Sequence, residues 1–167
     1  LCTARAQLKT DVTEIAEIVS KHGWLRFKEA AKVDATLLFE SHKSKFGLGQ
    51  RDEMRLQKTI HDDMGWTHYK FYQYYDDLPI EGAVFVVHEN SGKAVMANGK
   101  LVSDLSIDTS PKITKQEALE IALNAVPASE YSWENEGEEQ FLKTLTKDST
   151  ATGYPEVVLL LTGQTDS

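Results

Sequence analysis

The sequence is short of the features that would hold a fold together from outside. It has one cysteine, Cys2, in 167 residues. No internal disulfide can form, so the fold must stand on its core. Cys2 reads either as a free terminal thiol or, after Leu1, as the lipid-accepting cysteine of a bacterial lipoprotein. Long apolar runs are missing too. The longest, Val157–Leu161, has strand length and falls well short of the roughly 18 residues a membrane helix needs, so no membrane span is expected. Leu1 to Leu8 includes Arg5 and does not read as an intact signal peptide, although a processed one would leave no trace. An excess of basic charge is also lacking. The net charge is −8, with +2 on residues 1–49 and −10 on residues 50–167. That balance excludes nucleic acid as a partner, because phosphates need clustered Lys and Arg. An acidic face is either simply solvated or complements a basic or calcium-rich partner.

Catalytic constellations are absent as well. The histidines are His22, His42, His61, His68 and His88, and none forms H-E-x-x-H. His61-Asp62-Asp63 begins like that motif, but a turn follows and no second histidine stands four residues on. His68 and His88 can meet across neighbouring strands, where hydrogen-bonded strand histidines are the ordinary outcome. There is no G-x-S-x-G, no phosphate-cradling glycine loop and no D-x-D-x-D-G calcium loop. Asp62-Asp63 and Asp76-Asp77 are better explained as turn residues than as catalytic carboxylate pairs. These absences argue against an enzyme and against a metal held by this chain.

What is present fits a packed domain, with 41% hydrophobic and 26% charged residues. Leu8, Val12, Ile15, Ile18 and Val19 recur at helical spacing, closed by Gly23, and a second helical pattern runs from Ala30 to Phe46 before Gly47. The period then changes to two. Met54, Leu56 and Ile60 fall on one strand face, and Asp62-Asp63-Met64-Gly65 is a turn. Trp66–Tyr75 is an aromatic strand, Asp76-Asp77-Leu78-Pro79 turns, Ile80–Val87 continues as a strand, and Lys93–Ala97 follows an Asn90-Ser91-Gly92 turn. Asn98-Gly99 is a hairpin signal. These strands make an antiparallel meander that needs a cover on its apolar face, which the preceding helix can supply. Residues 103–112 read as a linker. Thr114 and Glu117 form a capping box for a helix that Pro127 ends. Phe141–Thr146 and Tyr154–Thr162 read as strands. Val157–Leu161 is apolar on both faces and wants a neighbour on each side, while Phe141–Thr146 supplies only one. The chain is therefore expected to be a piece of a longer protein.

Alternation along the aromatic strand sets Tyr69, Phe71 and Tyr75 on one face and Trp66, Tyr72 and Tyr74 on the other. One set must face a core. The other is covered within the chain or is open to a partner, and aromatics are what binding hot spots use. Trp66, Tyr72 and Tyr74 are the candidate partner-contact residues.

Residues 64–101 carry a resemblance. Met64-Gly65-Trp66-Thr67-His68-Tyr69-Lys70-Phe71-Tyr72-Gln73 is similar to the G-x-x-H-[VY]-[RK]-x-x-Q segment of the fungalysin/thermolysin propeptide domain. Leu78-Pro79-Ile80-Glu81-Gly82-Ala83 resembles its G-V-P-V-x-G turn and strand, with Asp77 where glycine is usual. Val86-Val87-His88-Glu89-Asn90-Ser91-Gly92-Lys93 and Ala97-Asn98-Gly99-Lys100-Leu101 resemble its V-V-H-x-[DN]-x-x-G and x-N-G-x-L segments. Ile113–Val126 looks like the opening helix of a PepSY domain. The resemblance implies an α+β fold: amino-terminal helices, then two cystatin-like helix-on-antiparallel-sheet units. The implied layout is an amino-terminal helical segment at 1–33, a propeptide-like domain at 34–105 and a PepSY-like domain, incomplete, at 106–167. Gly65, His68, Gln73, Pro79, Gly82, His88, Gly92, Asn98 and Gly99 are carried over as motif positions of structural character. The function implied is that of a non-catalytic propeptide, an intramolecular chaperone and autoinhibitor of a thermolysin-like zinc metalloprotease. Its partner would be the cognate catalytic domain, which would hold zinc and calcium and is absent from this chain. The location implied is secreted or in the cell envelope of a bacterium. The alternative is a free-standing envelope or secreted module that binds proteases in trans.

Overall fold

A computed structural model describes residues 10–20 and 23–163. Cys2 and Leu8 lie outside these residues, as does His22. The fold is α+β, and the chain divides into two compact units, residues 1–109 with 160–167 and residues 110–159. No helix among the described residues is long and apolar enough to cross a membrane.

The first unit is built on a six-stranded antiparallel sheet of β1 (Ala16–Ile18), β2 (Leu25–Phe27), β3 (Asp52–His61), β4 (Trp66–Tyr75), β5 (Leu78–Asn90) and β6 (Lys93–Gly99). The spatial order is β1-β2-β6-β5-β4-β3. The meander from β3 to β6 follows the turn chemistry. Asp76 and Asp77 have φ of 48° and 64°, the two-residue hairpin geometry that matches strand twist, and Ser91 with Gly92 repeats it. One sheet face is buried under α1 (Leu38–His42) and the 3₁₀ turn Lys43–Phe46. Phe39 meets the rings of Phe46, Phe71 and Phe85 at centroid separations of 5.2–5.6 Å, two of them edge-on. These offset geometries are favoured by the ring quadrupoles. A smaller cluster joins Tyr75, Ile80 and Ala83 to Val102, Leu105, Ile107 and Leu161.

Several expectations are corrected here. The stripe at Val12, Ile15 and Ile18 does not form a long helix. It is a 3₁₀ turn, Thr10–Glu14, followed by β1. Val12, Ile15 and Ala16 are buried all the same, because 3₁₀ spacing of three satisfies the same apolar pattern, and β-branched residues then favour the strand. The expected helix from Ala30 to Phe46 is also broken. Lys32 is left-handed (φ 46°), and the Asp34 carboxylate accepts from the Thr36 amide (2.8 Å) and the Leu37 amide (3.2 Å), a local turn that competes with helix. Met54, Leu56 and Ile60 do not share one face. A register shift between Leu56 and Lys58 moves Ile60 to the side opposite Met54 and Leu56. Asn98-Gly99 ends β6 without making a hairpin. Within the expected linker, Leu105 and Ile107 pack on the smaller cluster, and the Leu105 carbonyl accepts from the Tyr75 hydroxyl (3.1 Å).

The second unit contains α2 (Lys115–Ala125) and α3 (Glu136–Thr146). The capping box at α2 is formed as expected: the Glu117 amide donates to Thr114 Oγ1 (3.1 Å) and the Thr114 amide to Glu117 Oε2 (2.7 Å). Phe141–Thr146 is helix, a correction to the expected strand. The Asn135 side chain caps its start by accepting from the Gly137 and Glu138 amides, and three glutamates fill the first turn, where the helix dipole favours them. Among the described residues this unit has no strand. Tyr154–Thr162 forms no strand either; its one pairing is a parallel bridge from Leu161 to Ile80, in the first unit.

Candidate partner-contact face

Period-two alternation on β4 buries Phe71, Gln73 and Tyr75 and leaves Trp66, Tyr72 and Tyr74 half-buried on the opposite face, where the sequence placed them. Their neighbours come from the adjacent strands. Tyr74 lies across from Glu53 and Pro79, and Tyr72 across from Arg55 and Val84. The Arg55 guanidinium sits 4.0 Å from the Tyr74 ring centroid, and the Lys70 ammonium 5.1 Å from that of Tyr72. Gln57 Nε2 donates to the Tyr74 hydroxyl (3.3 Å). Each tyrosine therefore carries a cation over its ring, an electrostatic contact that restrains it.

The motif positions divide into turns and polar contacts. Gly65 (φ 80°) closes the β3–β4 turn, and its amide donates to the Asp62 carbonyl (3.2 Å). Gly82 and Gly92 also have positive φ, and Pro79, the second residue of β5, pairs with Tyr74. Asp77, where the resembling pattern has glycine, keeps the left-handed conformation and pairs with Arg55. Gly99 is the tightest position. A Cβ there would lie 2.2 Å from the Val84 carbonyl oxygen and 2.7 Å from Phe85 Cα. Gln73 is fully buried and ties β4 to the chain after β6. Its Nε2 donates to Asp52 Oδ1 (2.9 Å) and to the Val102 carbonyl (2.7 Å), while its Oε1 accepts from the Val102 amide (2.8 Å).

His68 and His88 do meet, directly opposite each other across β4 and β5, with Nδ1 atoms 2.7 Å apart. Asn98 Oδ1 lies 2.8 Å from His88 Nε2, and Asp62 Oδ2 lies 3.2 Å from His68 Nε2. Asp62 also anchors its turn, as Oδ1 accepts from the Met64 and Trp66 amides (2.9 Å each). The Trp66 amide, then the His68 ring and the Met64 amide, hold the Asp62 carboxyl below the usual carboxylate range. The Trp24 ring stacks on His88 with centroids 5.4 Å apart and planes 15° from parallel.

Sequence reasoning did not find Asp62, Asp52 or Trp24 as parts of these networks. Asp62 carried a usable signal, since an aspartate two residues before a turn position accepts backbone amides. Trp24 carried none, because only the β2–β6 pairing brings it beside β5. Among the described residues no group of three or more His, Cys, Asp or Glu side chains is arranged to hold a metal ion.

Comparison with known proteins finds partial similarity to a group of proteins named thermolysin. Thermolysins of Alicyclobacillus acidocaldarius subsp. acidocaldarius, Bacillus caldolyticus and Bacillus sp. (strain EA1) are each 30% identical over 104 residues, covering 54% of this chain. The alignment covers 19% of each relative, so the chain spans about a fifth of the length of those proteins. The family described as Fungalysin/Thermolysin Propeptide Motif matches residues 52–101, the span that folds as β3 to β6 and ends at Leu101.

Proposed function

We propose that this chain is the propeptide region of a thermolysin-like zinc metalloprotease precursor, which assists folding of the catalytic domain and blocks its cleft until removed. The carrying observation is that the family match coincides with the β3–β6 meander, whose open face presents Trp66, Tyr72 and Tyr74. A blocking segment needs a rigid complementary surface with no bond-breaking groups of its own. Sheet-borne aromatics pinned by Arg55 and Lys70 supply rigid contact area at small entropic cost. The net charge of −8 complements a cleft made positive by zinc and calcium. Both metals belong to the catalytic domain in this reading. The PepSY-like assignment of the second unit, and a place outside the cell or in a bacterial envelope, with Cys2 as a lipid acceptor, belong to the same proposal.

The test adds the purified chain to its separately produced catalytic domain. Peptide cleavage should fall, and recovery of activity after refolding should rise. A Trp66→Ala/Tyr72→Ala/Tyr74→Ala variant should weaken inhibition by at least about tenfold, the effect of losing contacts worth about 1.4 kcal/mol in total. Unchanged cleavage and unchanged recovery with the wild-type chain would overturn the proposal.

A further inference from the structure

We propose that His68 and His88 form a proton-binding site, in which Asp62, Asn98 and Trp24 hold the two imidazoles as one singly charged imidazolium–imidazole pair. This inference stands apart from the propeptide reading. His88 Nε2 faces the carbonyl oxygen of the Asn98 amide at 2.8 Å, so that nitrogen carries a hydrogen. His68 Nε2 faces Asp62 Oδ2 at 3.2 Å. Asp62 is ionised, because two backbone amides donate to its other oxygen, so His68 Nε2 carries a hydrogen as well. A neutral imidazole protonated on Nε2 has a bare Nδ1. Two such rings would place two lone pairs 2.7 Å apart, which is repulsive. One added proton turns that contact into an N–H···N hydrogen bond of ordinary short length. The pair then holds three protons on four nitrogens and one positive charge, beside one carboxylate.

The surroundings decide whether that charge is tolerated. The row across the sheet reads Ile60, His68, His88, Met96 and Arg26. Lys58 and Lys70 occupy the next row, opposite each other. His61, bonded to Thr67, and Glu89, bonded to Tyr69, belong to registers on the other side of the strands. Arg26, Lys58 and Lys70 are cations and oppose an added proton. Asp62 and the Trp24 face favour it. A stacked indole stabilises a cation through its ring quadrupole, and Trp24 lies nearly parallel to His88. The neutral alternative requires the Asn98 amide to turn end for end, presenting Nδ2 to a bare His88 Nε2, with the one inner proton on His88 Nδ1.

Long-range proton–nitrogen correlation spectra of the ¹⁵N-labelled chain near neutral pH separate the two states. The expected spectrum shows both Nε2 atoms protonated and both Nδ1 atoms intermediate between protonated and bare. An Asp62→Asn variant keeps an oxygen for the Met64 and Trp66 amides but loses the charge. At the same pH it should lose the shared proton and show a neutral pair. A wild-type spectrum with His88 Nε2 bare, or with both rings fully and separately protonated, overturns the proposal without recourse to the variant. An Asp62→Asn spectrum identical to wild type overturns the role given to Asp62.

Discussion

At Gly99 the β5 backbone fills the space a Cβ would take, and no side chain fits there. An alanine Cβ would overlap the Val84 carbonyl, in a backbone region (φ 144°) that L residues rarely adopt. Gly99→Ala should lower stability by about 3 kcal/mol or more through strain and overpacking, seen as a fall in the urea midpoint. Gln73 makes the complementary case of a buried polar group with every partner supplied. Gln73→Leu fits the volume, but it strands the Val102 amide and removes the Asp52 contact. The expected cost is about 2–4 kcal/mol, larger than the net worth of the bonds themselves because Asp52 stays buried and Val102 half-buried. Both residues stood out in the sequence as motif positions. What the sequence did not give was their partners, since Val84 and Val102 are identified only by strand register and by the path of the chain after β6.

At the scale of elements, local chemistry was legible wherever it acted alone. The α2 capping box is a contact between residues three apart, and Thr114 with Glu117 announced it directly. Thr114→Ala should cost about 1 kcal/mol, and amide hydrogen exchange should show faster opening confined to α2. The α3 helix was equally local but misread. Phe141 and Leu145, four apart and both about two-thirds exposed, share one helix face. Asn135 and the glutamates after it marked the start, yet the apolar residues alone suggested a strand. β1 was misread for the opposite reason. Within Ala16–Ile18 only the β-branched Ile18 leans towards strand, too little to decide it; pairing with β2 does, and β2 in turn rests on β6. The bulge after Leu56 belongs with β1, since it exists only relative to β4.

Across the whole molecule the hydrogen bonds made to carboxylates point to one pH response. Asp34, Asp62 and Asp76 in the first unit, and Glu117 and Asp148 in the second, are held below the usual carboxylate range. The leading causes are the Thr36 hydroxyl, the Trp66 amide, the Arg51 guanidinium, the Thr114 amide and the Thr150 hydroxyl, in that order. A carboxyl depressed in the folded state adds stability above its unfolded value. That stability is lost as pH falls through the folded one. Urea unfolding at a series of pH values should therefore show stability declining as pH drops below about 4, through loss of caps and turns in both units. A flat profile from neutrality to strong acid would contradict those contacts. The sequence by itself determined the α+β class, the β3–β6 meander and the α2 start, because alternation, turn residues and caps act within a few positions of the chain. Only the tertiary structure decided the amino-terminal strands, the side on which Ile60 lies, and the union of Asp62, His68, His88, Asn98 and Trp24. Each of those depends on which strands lie side by side and in what register, and cross-strand pairing is fixed by the packing of the whole sheet.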